Sequence, residues 1–377
     1  MDEGAESPAG GAPPLRAHFF DLDREAVAAW AAERHLPRHL VDQLLDWVYK
    51  KGVTDPAAMT NLSKAHRTLF ESEFEVLRGR TIVHQSATDG TQKVLLSWRP
   101  AAPESGALLP QLSDTVARGS ETESVMIPSE DRRTACVSSQ LGCPVGCTFC
   151  ASGIGGLEGN LTSGQIVEQV FRLGRLEGVD RISHVVFMGM GEPLANYAAV
   201  TDAIRVLNAP WGLGISARRI TVSTVGLPAA IRKFCEFELP VTLALSLHAP
   251  NDTLRREIIP WAQFSTIEEL LDACDEWFRR TGREITLEYI LLGGVNDSPA
   301  HAEELASHAL RIHANVNLIR YNEVRGIPYS RPSSEDVHAF QETLRARGVN
   351  AHIRASRGRD IAAACGQLRH ERSAVAP

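Results

Sequence analysis

No run of about 18 apolar residues occurs anywhere in this 377-residue chain, whereas a helix needs roughly 20 of them to cross the hydrocarbon core of a membrane. Met1 to Leu15 is acidic and rich in proline and glycine, without the apolar centre of a secretory signal. Both absences predict a cytoplasmic protein with no membrane partner. An excess of positive charge is missing too. A net charge of -7 gives no global attraction to nucleic acid, so RNA contacts must come from local patches. The seven cysteines are odd in number and bunched rather than spread as pairs. That excludes a disulfide scaffold and suits a reducing compartment, where clustered thiols bind metal or react.

What is present falls into segments. Residues 1–17 hold too few apolar side chains to offset the entropy of ordering and read as a disordered tail. Residues 18–78 read as a small helical accessory domain. Asp21 or Asp23 can cap a helix through Ala31, Leu40, Leu44, Leu45 and Val48 recur at helical spacing before Gly52, and a third helix follows Leu62. Its Arg38, Lys50, Lys51, Lys64 and Arg67 either meet phosphates or form a solvated face. Residues 79–130 read as a β-hairpin extension: 81–85 pairs with 94–98 across Asp89-Gly90, and 123–128 pairs with 134–138. A flexible Pro/Ser/Gly-rich insertion lies at 100–120.

From residue 131 strands alternate with helices. Strands are expected at 134–138, 183–188, 220–223, 241–248, 285–292 and 316–321, and helices at 163–177, 196–208, 227–237, 266–280 and 299–313. Apolar strands of this kind form a parallel sheet covered by helices, so the class is α/β. Six units rather than eight predict a partial (β/α)6 barrel over 131–348, although an open doubly wound sheet has the same local pattern. A helix at 334–347 ends the core. A strand at 351–355 lies in the C-terminal segment 349–370, before a tail at 371–377.

The chemistry concentrates in Cys143-Pro144-Val145-Gly146-Cys147-Thr148-Phe149-Cys150, three thiols within eight residues after a strand. One loop can turn three sulfurs toward one point, as iron-sulfur and zinc sites require. Ligand count separates the two. Structural zinc closes its shell with four protein ligands, whereas a four-iron cluster on three cysteines leaves one iron open. Cys136 as a fourth ligand would make a zinc-stabilised RNA-binding protein without catalysis, but seven residues along a strand is not the usual zinc spacing.

Cys-x3-Cys-x2-Cys after a first barrel strand resembles the cluster motif of the radical S-adenosylmethionine (SAM) enzymes. The resemblance implies one [4Fe-4S] cluster on Cys143, Cys147 and Cys150, with S-adenosylmethionine on the open iron as the source of a 5'-deoxyadenosyl radical. Phe187-Met188-Gly189-Met190-Gly191-Glu192-Pro193-Leu194 is similar to that superfamily's Gly-Gly-Glu-Pro segment, which implies that Gly191 and Glu192 hold the methionine amino group. Its glycines would let a ligand approach the backbone. Ser223, then Ser246, Leu247 and His248, then Asn322 end the third, fourth and sixth strands. They therefore fall at the C-terminal rim, where such folds bind ligands, and are the further cofactor-binding candidates.

Longer segments (52–54, 59–64, 136–142, 160–170, 185–194, 246–255, 288–298 and 356–368) resemble one subgroup, the dual-specificity adenine-C2 methyltransferases of 23S rRNA and tRNA, over about residues 20 to 370. The resemblance implies a relay. Cys365 takes a methyl from one S-adenosylmethionine as S-methylcysteine, and a second molecule, two per turnover, yields the radical that activates this methyl for attack on carbon 2 of adenine. Cys136 then resolves the tethered RNA through a transient disulfide with Cys365, and Glu123 stands at the proton-acceptor position. Partners so implied are 23S rRNA, tRNA and an electron donor such as flavodoxin or ferredoxin, acting on a monomer. A related enzyme class attacks carbon 8 of the same adenine with the same thiols. Arg132, Arg133, Arg218, Arg219, Arg354, Arg357 and Arg359 are candidate phosphate contacts near the rim, and Cys235 and Cys274 read as buried structural thiols. The chain departs from the subgroup in its long 100–120 insertion, in Gly159 where a basic residue is usual, and in Arg320 where proline is usual.

Overall fold

The structure is a computed structural model that describes residues 16–98 and 121–368. The expected insertion at 100–120, the tail at 371–377 and nearly all of the N-terminal tail lie outside the described residues. The three N-terminal helices form as the caps dictate. Asp23 accepts from Ala26 N to start α1 (Arg24–Glu33), α2 (His39–Leu45) runs on into a π-turn at Asp46–Lys50, and Ser63 caps α3 (Lys64–Glu73). Leu40, Leu44, Leu45 and Val48 are all buried.

This module shares one hydrophobic core with the rest of the chain. Phe20 stacks at 4.9 Å on Phe171 of α4 (Ser163–Leu173). Beside it, the fully buried Glu168 lies 3.0 Å from His18 Nε2 and accepts from Arg78 N, Gly79 N and Arg172 Nε. One carboxylate therefore ties the N-terminal module, the start of the sheet and α4 together.

Ten strands form one open sheet. In chain order they are β1 (Gly79–Ser86), β2 (Gln92–Trp98), β3 (Glu121–Pro128), β4 (Arg133–Cys136), β5 (His184–Phe187), β6 (Ile220–Thr224), β7 (Thr242–Ser246), β8 (Thr286–Leu291), β9 (Asn315–Arg320) and β10 (Ala351–Arg354). Strands β4 to β10 run parallel, and β1 to β3 extend the sheet antiparallel from β4. Two features differ from the sequence expectation. The first hairpin, β1 with β2, joins the same sheet through β3, and β10 joins the parallel strands as a seventh; the pairing of β3 with β4 is as expected. The sheet does not close into a barrel, because β10 and β1 occupy its two free edges.

The parallel order collects the ends of β4 to β10 on one rim, as expected, but divides the candidate arginines. Arg132 and Arg133 feed into β4, and Arg218 and Arg219 form the turn before β6. They sit at the strand starts, opposite the rim, because they precede rather than follow their strands. Arg354, Arg357 and Arg359 remain on the rim side.

Glu168→Ala should remove a buried acceptor from several donors at once and destabilise the protein by about 3–5 kcal/mol. Substituting the exposed Lys64 by alanine should change stability by no more than about 0.5 kcal/mol. Urea denaturation of the two variants checks the contrast.

Candidate active site

The cysteine loop is an excursion from the end of β4. Its base is a short antiparallel pair, Gln140–Gly142 with Leu157–Asn160. The base closes because Gly142 adopts φ +71, where a Cβ would lie 2.1 Å from Gly156 O. The far side is fixed by Thr148, whose amide donates to Ile258 O at 3.0 Å. Cys143, Cys147 and Cys150 line one cavity of about 150 Å³ with Gly189, Gly191, Glu192, Ser223, Ser246, His248 and Cys365.

Burial pushes the Cys143 thiol up to about 12 and raises those of Cys147 and Cys150, each also raised by a neighbouring cysteine. Three thiols in apolar surroundings stay protonated until a cationic centre draws the protons off. Among the described residues no three His, Cys, Asp or Glu side chains close on a single point, as ligands of one ion would. Three cysteines on one cavity, with Cys136 on another, are the donor set of a cluster with one open iron rather than of a four-cysteine zinc site.

The glycine turn after β5 lines the cavity and is also packed closely from behind. A Cβ on Gly189 would lie 2.7 Å from Val137 O, and one on Gly191 would lie 2.6 Å from Gln140 Cβ. The turn is thereby pressed against the segment leading into the cysteine loop. Glu192 is 3% exposed, and burial raises its carboxyl. It accepts from Leu194 N at 3.0 Å and Val225 N at 2.8 Å, bridging the ends of β5 and β6. Ser223 and Ser246 face each other with Oγ atoms 3.2 Å apart.

His248 adopts φ +59, accepts from Ile290 N on Nδ1 at 3.1 Å and packs edge-on against Phe149. Its proton therefore sits on Nε2. Burial, with the Arg255 charge, lowers it to about 3, so the ring is neutral near pH 7. Leu247 and Asn322 depart from the set. Leu247 points into the core, and Asn322 accepts from Arg331 Nη1 at 3.0 Å and lines an adjacent cavity.

That second cavity, of about 180 Å³, is lined by Cys136, Met188, Asn322, Arg354 and Cys365 among others. Cys365 thus borders both cavities. Sheet register explains why Cys136 lies close by. Lys93 on β2 pairs with Val125 on β3, which pairs with Cys136 on β4, so all three point to one face, as does Glu123 two residues away. The segment around Cys365 covers that face. Asp89 accepts from Gly358 N at 3.1 Å, Thr88 N donates to Asp360 at 2.9 Å, Ala151 N donates to Gly366 O at 2.8 Å and Ser152 Oγ donates to Leu368 O at 2.6 Å.

Glu123 is 4% exposed. Its Oε1 pairs with Lys93 Nζ at 2.8 Å, and its Oε2 has no partner. It borders a third, open cavity of about 820 Å³ with Arg80, Arg325 and Arg359. Lys93 also donates to Ala362 O at 3.2 Å, which joins the carboxylate to the Cys365 segment.

The chain's similarities agree with this geometry. Family models match for the Radical SAM superfamily over residues 137–306 and for the ribosomal RNA large subunit methyltransferase N-terminal domain over 17–76. A probable dual-specificity RNA methyltransferase RlmN of Rhodopirellula baltica is 40% identical over 363 residues, spanning 96% of this chain and 93% of that protein. One from Parasynechococcus marenigrum is 45% identical over 354 residues, 92% and 96% of the two chains. The chain belongs to the RlmN family. It is an RlmN-type radical SAM RNA methyltransferase. The crystal structure of a radical SAM methyltransferase from Sphaerobacter thermophilus superposes with a TM-score of 0.86 at 39% identity, covering 93% of this chain and 99% of that one. RlmN-family membership implies a [4Fe-4S] cluster and S-adenosylmethionine, and the donor set described above fits both.

Two further observations concern the thiols. The disulfide expected between Cys136 and Cys365 is a transient one, and every cysteine is free here; burial pushes the resting Cys136 thiol up to about 12, so it stays protonated near pH 7. Cys274 is fully buried and Cys235 half-buried, both in the helical core. Lys93 and Arg255 are site residues that the sequence reading missed. Nothing in the local pattern distinguishes Lys93 from other strand lysines, since its partner Glu123 is set by register across a separate strand.

A histidine that is neutral when folded and titrates near 6.5 when unfolded contributes stability that is full above 6.5 and lost as pH falls toward about 3. The loss is about 1.4 kcal/mol per pH unit in that window. Denaturant melts of the cluster-free protein should show His248→Asn, which keeps an acceptor and tolerates positive φ, with a slope shallower by about that amount; an equal slope would contradict the buried neutral ring.

Proposed function

We propose that the enzyme methylates carbon 2 of an adenine in 23S rRNA and in tRNA by a ping-pong relay through Cys365. One observation supports this most: Cys365 borders both the cavity of Cys143, Cys147 and Cys150 and the cavity of Cys136. Carbon 2 of adenine is electron-poor and has no acidic proton, so it is not a nucleophile toward a sulfonium methyl. A thiol is. Bound at Cys143, Cys147 and Cys150, the [4Fe-4S] cluster with S-adenosylmethionine supplies a 5'-deoxyadenosyl radical.

The chain's own residues do the rest. Cys365 accepts a methyl from a first S-adenosylmethionine, yields a hydrogen atom from that methyl once a second molecule has been bound and cleaved, and links its methylene to carbon 2. The radical adduct gives up one electron, which the oxidised cluster would take, and the carbon-2 proton, which Glu123 takes; the Glu123 Oε2 is buried without a partner and the residue borders the open cavity. Cys136, as a thiolate, attacks the Cys365 sulfur; the bond from that sulfur to the methylene breaks, its electron pair stays on the carbon and is protonated to give the methyl group, and the transient disulfide is reduced by an external thiol before the next turnover. Gly191, Glu192, Ser223, Ser246 and His248 cradle S-adenosylmethionine, with Leu247 and Asn322 setting its borders. The base must leave its stack to reach this site, with Arg354, Arg357 and Arg359 on the rim side and the helical module at 18–78 as RNA contacts. An electron donor such as flavodoxin or ferredoxin reduces the cluster.

In a host lacking its own enzyme, expression should yield 2-methyladenosine in ribosomal and transfer RNA by nucleoside mass spectrometry. Finding 8-methyladenosine alone would reject the choice of carbon. Cys136→Ala should leave RNA covalently attached to the protein, seen as a shifted band that nuclease collapses; normal turnover with free RNA would refute the resolving role.

A further inference from the structure

Among the largest fully buried side chains, one is an arginine. Arg255, on α5 (Asp252–Ile258), is 1% exposed. Its Nε donates to Leu247 O at 3.2 Å and its Nη2 to Val225 O at 2.5 Å. Both acceptors are neutral carbonyls at the ends of β7 and β6. Nη1 is buried with no partner at all. The nearby acid on the same helix, Asp252, spends Oδ1 on Ile267 N.

A buried guanidinium without a carboxylate is costly, because the desolvation of the charge is not returned by any ion pair. Such a group persists where something else supplies the negative charge. Val225 lines the cavity of the three cysteines, and so do Ser246 and His248, which flank Leu247. Arg255 therefore lies directly behind the wall of that cavity. No other described cation has this position: His248 is neutral near pH 7, and Lys93 and Arg354 are taken up by Glu123 and Glu288.

We propose that Arg255 is the counter-charge of the iron-sulfur centre, a positioning residue whose guanidinium offsets the negative charge of three thiolates and of the electron added on reduction. This rests on the cluster being held by Cys143, Cys147 and Cys150. Net charge and hydrogen bonding around the sulfurs set the potential of such clusters. The cation stabilises the reduced form more than the oxidised one and so makes reduction easier for a weak donor. The two carbonyl bonds explain why an arginine and not a lysine stands here: they fix the group at the rim and leave Nη1 without a protein partner.

The test uses full-length protein with reconstituted cluster, comparing wild type, Arg255→Gln, which keeps amide donors but loses the charge, and Arg255→Lys, which keeps the charge. Iron and sulfide content are measured first, then the fraction reduced at fixed applied potentials by electron paramagnetic resonance. Arg255→Gln should lower the reduced-to-oxidised ratio at least about tenfold, equivalent to about 59 mV for one electron, or lose iron while its cluster-free form remains folded by circular dichroism. Arg255→Lys should fall by less. Wild-type loading and potential in Arg255→Gln would overturn the proposal, as would a lysine variant that drops as far as glutamine. If Arg255→Gln does not fold, the lysine variant decides alone, since unfolding there as well would mark a purely structural tie. A wild-type protein that binds no iron, or a Cys147→Ser protein that keeps its full cluster, would instead refute the cluster assignment on which the proposal rests.

Discussion

The segment that bears Cys365 must hold one thiol within reach of two separate chambers, and much of the structure serves that constraint. The segment has little regular structure of its own, only a single 3-10 turn at Arg359–Ile361. Its conformation is set from outside. The turn between β1 and β2 grips one end through Thr88 and Asp89, the cysteine loop grips the other through Ala151 and Ser152, and Lys93 holds the middle at Ala362. Gly358 is needed at φ +63, since a Cβ there would lie 2.8 Å from Ala363 Cβ and 2.9 Å from Thr91 Cγ2. Anchors at both ends with few internal bonds keep such a loop placed while leaving its thiol able to shift between neighbours.

A second theme is low dielectric with few charges. The cavity of the three cysteines is walled by Val145, Phe149, Val225, Ile290 and Ile319, and the same burial that raises the thiols keeps His248 neutral. In such surroundings each remaining charge acts strongly. Glu192 is held by two backbone amides, Glu288 by Asn317 and Arg354, and Glu123 by Lys93. Among the cations of the site, Lys93 and Arg354 each meet a carboxylate, whereas the hydrogen bonds of Arg255 go to neutral carbonyls.

Much of this was legible in the sequence, and the limits follow from physics. Local patterns are read well because they act locally: Asp23 and Ser63 start helices, Thr162 with Gln165 forms a complete capping box, and the strand-helix alternation gives parallel strands with their ends on one rim. Pairing between distant strands is not local. Nothing in the spacing of Lys93, Glu123 and Cys136 announces that they share one sheet face, nor that β1 and β2 extend the parallel sheet. The arginines before β4 and β6 were assigned to the wrong end because a basic side chain beside a strand says nothing of direction until strand start and finish are distinguished. The glycines of the turn after β5 line the cavity, and a second reason for them that the local pattern does not show is their close contact with residues 137–140.

The central claim is that Cys365 shuttles the methyl group. Mass spectrometry of the Cys365 peptide from cluster-loaded enzyme, isolated before exposure to RNA, tests it most directly. The account predicts one methyl group on the Cys365 sulfur, lost when unlabelled RNA is supplied and transferred to adenine without dilution by labelled S-adenosylmethionine. Methylated adenine formed by an enzyme whose Cys365 never bears a methyl would contradict it.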